Sequence, residues 1–249
     1  MDYVLQGEVI QTVQITLQKG EAVFSESGGM AWMTDGIEMK SGTRGGLGKM
    51  LGRALSGESL FQTTFTASHD GAVVTFAQAA LGKIMPLQLE AGHSMILQRD
   101  AFLCAQEGVT HEMHFRKKLG TGLFGGEGFI MQKVTGPGVV FVELTGEVID
   151  YTLKAGQRLK IDPGHIAMYE PSVGYDLTTV KGIKNFVFGG EGLFLATLTG
   201  PGRVWLQTMP IQNLASRIYQ IMPPLSSSSG SDSIEGQVLG GLGKILGGN

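Results

Sequence analysis

The segment GGEGFIMQKVTGPGVVF at residues 125–141 returns 64 residues later, without a gap, as GGEGLFLATLTGPGRVW at 189–205. A chain that writes one segment twice is built by repetition, and a repeat constrains the fold more tightly than local propensity does. Each copy reads as a glycine start, a short apolar strand and a tight reversal, because Pro beside Gly is turn chemistry. A third, weaker copy is SGESLFQTTFTASHDGAVVTF at 56–76, with ASHDG in place of GPG. Glycine supplies 39 of the 249 residues, roughly twice the ordinary share of ~7%. It shows no period of three, so collagen is excluded and glycine reads as punctuation at turns and bulges.

The other half of the unit also recurs. GEVIDYTLKAGQRLKIDPGHIAMY stands at 146–169, GKIMPLQLEAGHSMIL at 82–97 and GEVIQTVQITLQKGEAVFSESGGMAWM at 7–33. In this division the chain starts on a second half and ends on a first half near Met209. The expectation is a circular permutation: the N-terminal piece completes the last unit, and three units close without exposed sheet edges. Alternation supports strands throughout. In VIQTVQITL, Val9, Val13, Ile15 and Leu17 share one face, and Thr12, Gln14 and Thr16 the other. Short runs such as VVFVEL at 139–144, with turn residues every eight to twelve positions, predict an all-β sandwich or barrel rather than βαβ units.

The GEVI start, the GGEG…TGPG pair and the threefold permuted repeat resemble the altered-inheritance-of-mitochondria protein 24 family, from residue 1 to about 222. The resemblance implies an all-β fold of three units in a pseudo-threefold arrangement. Each unit would be similar to the β-sandwich of the tryptophan RNA-binding attenuation protein (TRAP-like, a double-stranded β-helix-like form). It implies a homotrimer. Mitochondrial members are linked to inner-membrane organisation, bacterial members have no agreed activity, and the family supplies no catalytic residue to carry over. The expected plan is a three-repeat domain at 1–222, a flexible Ser-rich linker at 223–236 and a short apolar tail at 237–249.

Two segments depart from the strand pattern. In SGTRGGLGKMLGRALSG at 41–57, Leu47, Met50, Leu51, Ala54 and Leu55 fall on one helical face, and Lys49 and Arg53 on another. Gly48 and Gly52 weaken such a helix by ~1 kcal/mol each relative to Ala, so it needs a surface to fold against. The tail repeats this motif: GLGKILG at 241–247 differs from GLGKMLG at 46–52 only in Ile245 for Met50. Leu47, Lys49, Met50 and Arg53, with Leu242, Lys244, Ile245 and Leu246, are therefore candidate contacts to a neighbouring subunit, a partner protein or a membrane surface.

Candidate chemistry is sparse. Glu58, Glu127 and Glu191 each follow Gly at the start of a repeat, so pseudo-symmetry would set them around one axis as a candidate ligand site. The competing reading is structural: each accepts backbone N–H groups or pairs with a basic connector. HEMH at 111–114 has its histidines three apart, where a zinc helix needs four; they read as surface or connector residues. His93 and His165 both follow Gly and read as equivalent turn positions, with Gly29 as the third. No G-x-S-x-G or Walker lysine occurs, and no metal or cofactor is expected. Cys104 lies in an apolar run and reads as a buried thiol. A net charge of −3 gives no support for nucleic-acid binding. The N-terminus lacks the pattern of a signal peptide, and no apolar run nears the ~18 residues of a membrane span. The expected protein is cytoplasmic or peripheral to a membrane, a non-enzymatic scaffold or interaction protein. The alternative is a small-ligand or metal-binding protein with sites between repeats or subunits.

Overall fold

A computed structural model describes residues 1–26, 28–43, 61–117, 129–179 and 194–221. The chain is predominantly β-sheet. After β1 (Asp2–Gln6), six strands follow: β2 (Thr12–Leu17), β3 (Ala22–Glu26), β4 (Met30–Met33), β5 (Ile37–Thr43), β6 (Phe61–Ala67) and β7 (Ala72–Ala77). The next six are β8 (Gly82–Leu89), β9 (Ser94–Gln98), β10 (Phe102–Gln106), β11 (Thr110–Lys117), β12 (Phe129–Thr135) and β13 (Gly138–Thr145). The last six are β14 (Val148–Leu153), β15 (Arg158–Ile161), β16 (Ile166–Tyr169), β17 (Gly174–Thr179), β18 (Phe194–Thr199) and β19 (Gly202–Gln207), followed by the helix α1 (Ile211–Ile221). Two compact units divide the chain, Met1–Leu214 and Ala215–Asn249. All the strands belong to the first; of the second, only 215–221, the rest of α1, is described.

The sheets run β1-β2-β7-β4, β5-β6-β3-β10-β13-β8, β11-β12-β9-β16-β19-β14 and β15-β18-β17. Pairing is antiparallel, and the same partners recur along the chain. β2 pairs with β7, β8 with β13 and β14 with β19. β6, β12 and β18 lie between β3 and β5, β9 and β11, and β15 and β17. A register shift occurs between Met30 and Trp32, Phe102 and Cys104, and Ile166 and Met168, at the same place in β4, β10 and β16. Such bulges sharpen strand twist and are specific features of a fold.

The expected permutation is not what this pairing shows. β2 is bonded by β1 and β7, and β19 by β14 and β16, so the N-terminal strand completes no C-terminal unit. The reason is where the repeat was cut. GGEG precedes β12 and β18, inside a unit, whereas a full run of pairing extends from the GEVI-type glycine to the strand after the turn.

The opening TGPG segment has a definite backbone role. The amides of Gly20, Gly92 and Gly156 donate to the carbonyls of Ala67, Gly136 and Gly200. The amides of Ala67, Gly136 and Gly200 donate back to Glu21, His93 and Gln157, each at 3.0 Å. The turn is thus clasped to the turn that carries the chain from β2 to β3, β8 to β9 or β14 to β15. The approach is close enough to require glycine in two of the three copies. A Cβ on Gly136 would strike the Leu89 and Glu90 carbonyls, and one on Gly200 the Lys154 carbonyl and Leu153. Gly136–Pro137 and Gly200–Pro201 are cis.

Alternation sets the core. Val13, Ile15 and Leu17 are fully buried, as the period of two requires, and pack with Phe65, Phe76, Cys104 and Phe141. Val9 lies before β2 and is exposed. Two further clusters, around Leu97, Val134 and Val142 and around Met131, Ile166 and Leu198, continue the core along the chain. Cys104 is buried, as its apolar setting predicts. Phe141→Ala, which removes a buried ring that also meets the Tyr3 ring edge-on at 4.9 Å, is expected to cost about 3–5 kcal/mol in urea unfolding. Tyr151→Ala, on an exposed position of β14, is expected to cost less than about 1 kcal/mol.

Candidate functional site

Glu58, Glu127 and Glu191 lie outside the described residues, as do Leu47, Lys49, Met50, Arg53, Leu242, Lys244, Ile245 and Leu246. The sites that are described are built from other side chains. They lie where one run of strands meets the next.

At the first meeting, β10 pairs with β3 through Ala105–Phe24 and Gln106–Val23. Beside it is a cleft of about 630 Å³ whose wall includes Glu26, Arg99, Asp100 and Glu143. Burial raises the carboxyl pKa of Glu26, and the Gln132 amide, which donates to it at 2.7 Å, opposes the shift. Burial also raises Glu143, against an amide hydrogen bond from Ala79; the charge of Asp100 pushes both groups the same way. Asp100 in turn accepts from the side-chain amides of Gln98 and Gln212, each at 3.0 Å. The cleft gathers carboxyl groups with Arg99. Among the described residues no three His, Cys, Asp or Glu side chains are placed to hold a metal ion. The repeat carried a signal for this place: Glu26, Gln98 and Asp162 occupy one position at the end of β3, β9 and β15. Gln98 and Asp162 accept there from the amide two residues on.

His111 is not the surface residue its motif suggested. Its side chain is fully enclosed, 4.0 Å from the Glu26 carboxylate. Its ring stacks on Phe102 with centroids 4.0 Å apart, and Nδ1 lies 2.8 Å from the Gln62 amide nitrogen. The cause is strand parity: His111, opposite Val134 in the regular part of the ladder, faces inward, and His114, three residues on at the bulge between Met113 and Phe115, is exposed. The pairing of His93 with His165 is also corrected. His93 sits in the turn joining β8 and β9, where its amide donates to the Glu90 carbonyl as the Glu21 amide does to Gln18 and the Gln157 amide to Lys154. His165 closes a 3-10 turn after β15, with Nδ1 2.8 Å from the Gln207 carbonyl oxygen.

At the second meeting, β16 pairs with β9 through Met168–Leu97 and Tyr169–Ile96. Next to it, Tyr169 and Tyr175 stack nearly parallel, 6.2 Å apart, on the wall of a cavity of about 400 Å³. The edges that would make a third meeting are β4 and β15, each the last strand of its sheet. β4 presents Trp32, 53% exposed, and Met33, 37% exposed.

The raised pKa values of Glu26 and Glu143 have a definite sign. Each group binds its proton more tightly in the folded chain, so its contribution to stability is lost as pH rises from the ordinary carboxylate range through the folded pKa. Glu143→Gln is expected to flatten that part of the stability–pH curve and to be more stable than the parent at pH 8. Urea unfolding at pH 5 and pH 8 checks it; an unchanged slope contradicts it.

Among the described residues no helix is long and apolar enough to cross a membrane. An uncharacterised protein of Streptococcus pyogenes serotype M6 is 27% identical over 223 residues, covering 86% of this chain and 88% of that protein. A structural-genomics crystal structure of a Streptococcus pyogenes protein superposes with a TM-score of 0.71 at 24% identity, covering 89% of this chain and 99% of that one, and shares the fold. The signature of the mitochondrial biogenesis AIM24 family matches residues 3–209. The chain belongs to that family.

Proposed function

We propose that this is a non-enzymatic interaction or scaffold protein of three TRAP-like units in pseudo-threefold succession, and that it works as a homotrimer joined strand edge to strand edge. One observation carries the reading. The chain makes the same junction twice, β10 on β3 and β16 on β9, and its two outermost strands of those types, β4 and β15, have no described strand on their outer edges. An open edge is a template for pairing, and natural proteins cover it or use it. Stepping the junction register along the repeat sets Met33 of one chain opposite Lys160 of the next, and Trp32 opposite Ile161. That contact would take Trp32 and Met33 out of water.

A contact between two different edges is heterologous, so copies either close into a ring or continue as a filament. The family resemblance sets the expectation at three chains. In this reading the tail at 237–249 and the connector at 41–57 add contacts to a neighbouring subunit or to a membrane surface.

Light scattering of the full chain is expected to give the mass of three copies, and a monomer at micromolar concentration sinks the assembly. Met33→Cys combined with Lys160→Cys is expected to form interchain disulfides on oxidation, since facing Cβ atoms on antiparallel strands lie ~4.5–5.5 Å apart. Met33→Cys with Asp176→Cys, on the opposite edge of the β15-β18-β17 sheet, is expected to form none. A trimer that cross-links in neither pair overturns the edge assignment and leaves the stoichiometry standing.

A further inference from the structure

We infer that the cavity between β11, β16 and β17 is a binding site for a small carboxylate with an apolar or aromatic body. The inference is independent of the assembly and concerns a site within one chain. The cavity holds about 400 Å³, within the ~300–1,000 Å³ of small-molecule sites. Tyr169 and Tyr175 line it, and among the described residues neither hydroxyl meets a hydrogen-bond partner, although both are shielded from solvent. Tyr169 is 2% exposed. Roughly nine in ten or more buried polar groups are paired in folded proteins, so two unpaired hydroxyls on one cavity call for a cause.

The preceding run of strands supplies the comparison. His111 in β11 holds the place that Tyr175 holds in β17. There the ring nitrogen is met by Gln62, the ring is covered by Phe102, and the position is closed. The same place is therefore packed closed in one copy and borders a cavity in the other.

The groups present select the ligand's chemistry. Burial raises the pKa of both phenols, so each is a hydrogen-bond donor across the working pH range. Lys133 adds a cation to the wall. The pKa of His114 is lowered, by burial first and then by Lys133, so its imidazole is biased towards the neutral form. The carboxylate on the wall, Asp176, is exposed and accepts from the Thr178 hydroxyl. Donors and a cation want an oxygen acceptor that carries negative charge. The rest of the wall is flat and apolar: the Phe115 ring lies 4.8 Å from Tyr175, and Phe129 stacks on Tyr175 at 5.8 Å and 7°.

The test is calorimetric titration of the full chain with benzoate, hexanoate and benzylamine. Saturable binding of benzoate or hexanoate is expected, with benzylamine much weaker. Tyr169→Phe with Tyr175→Phe is expected to weaken the carboxylates roughly tenfold or more, because it removes two bonds to a charged acceptor. The same variant is expected to melt no lower than the parent, since it deletes only unpaired hydroxyls; that separates lost binding from lost fold. Lys133→Met is expected to weaken both carboxylates as well. No saturation by about 10 mM, where only the weakest complexes are unfilled, overturns the inference and leaves ordered water as the partner of the hydroxyls. Equal binding by the double variant, or tighter binding of benzylamine, also overturns it.

Discussion

Backbone pairing at strand edges is the constraint on which the rest of this molecule depends. Every strand carries donors and acceptors on both sides, and each buried group must find a partner. Here that demand is met by passing the edge along. β10 completes the edge of β3, and β16 completes the edge of β9, so each run of strands is finished by the next. The turn that returns the chain is clasped to a neighbouring turn by a reciprocal pair of amide bonds, three times over. A fold made this way has no natural last member, and what covers its first and last edges becomes the central question about its function.

The same places where runs meet also collect polar side chains, and they do so unequally. At the first, Glu26, Gln132, His111 and Gln62 form an enclosed network beside a half-open cleft. At the second, two tyrosines whose buried hydroxyls meet no partner among the described residues line a cavity. Repetition fixes the backbone and leaves individual positions free to diverge. Glu26, Gln98 and Asp162 share a backbone place and differ in charge and length. Divergence of this kind is how a repeated scaffold acquires a site in one copy and a plug in another.

Much of the fold could be read from residues. The period of two in TVQITL placed Val13, Ile15 and Leu17 in the core, and TGPG marked a turn whose glycine is sterically required. The permutation misled because sequence identity was strongest at GGEG, which is not where pairing begins. Matching letters locate a repeat, whereas only hydrogen bonding locates its boundary. The histidines misled for a related reason. Spacing in HEMH says nothing of burial, which for His111 is decided by strand parity and by Phe102, nine residues away in sequence and in contact in space. The tyrosines carried no motif, because an unpaired hydroxyl is a property of what fails to surround it.

The bulges in β4, β10 and β16 come one per run, and β10 and β16 are the strands that reach back to the previous run. A strand that reaches back makes the order of units directional, like links hooked front to rear. Any closed assembly joined this way has two unlike faces. The paired strand ends Thr43–Phe61, Lys117–Phe129 and Thr179–Phe194 recur at one place in each run. A partner that meets one face of such an assembly would find the same surface in several copies at once, so that weak single contacts add up through avidity.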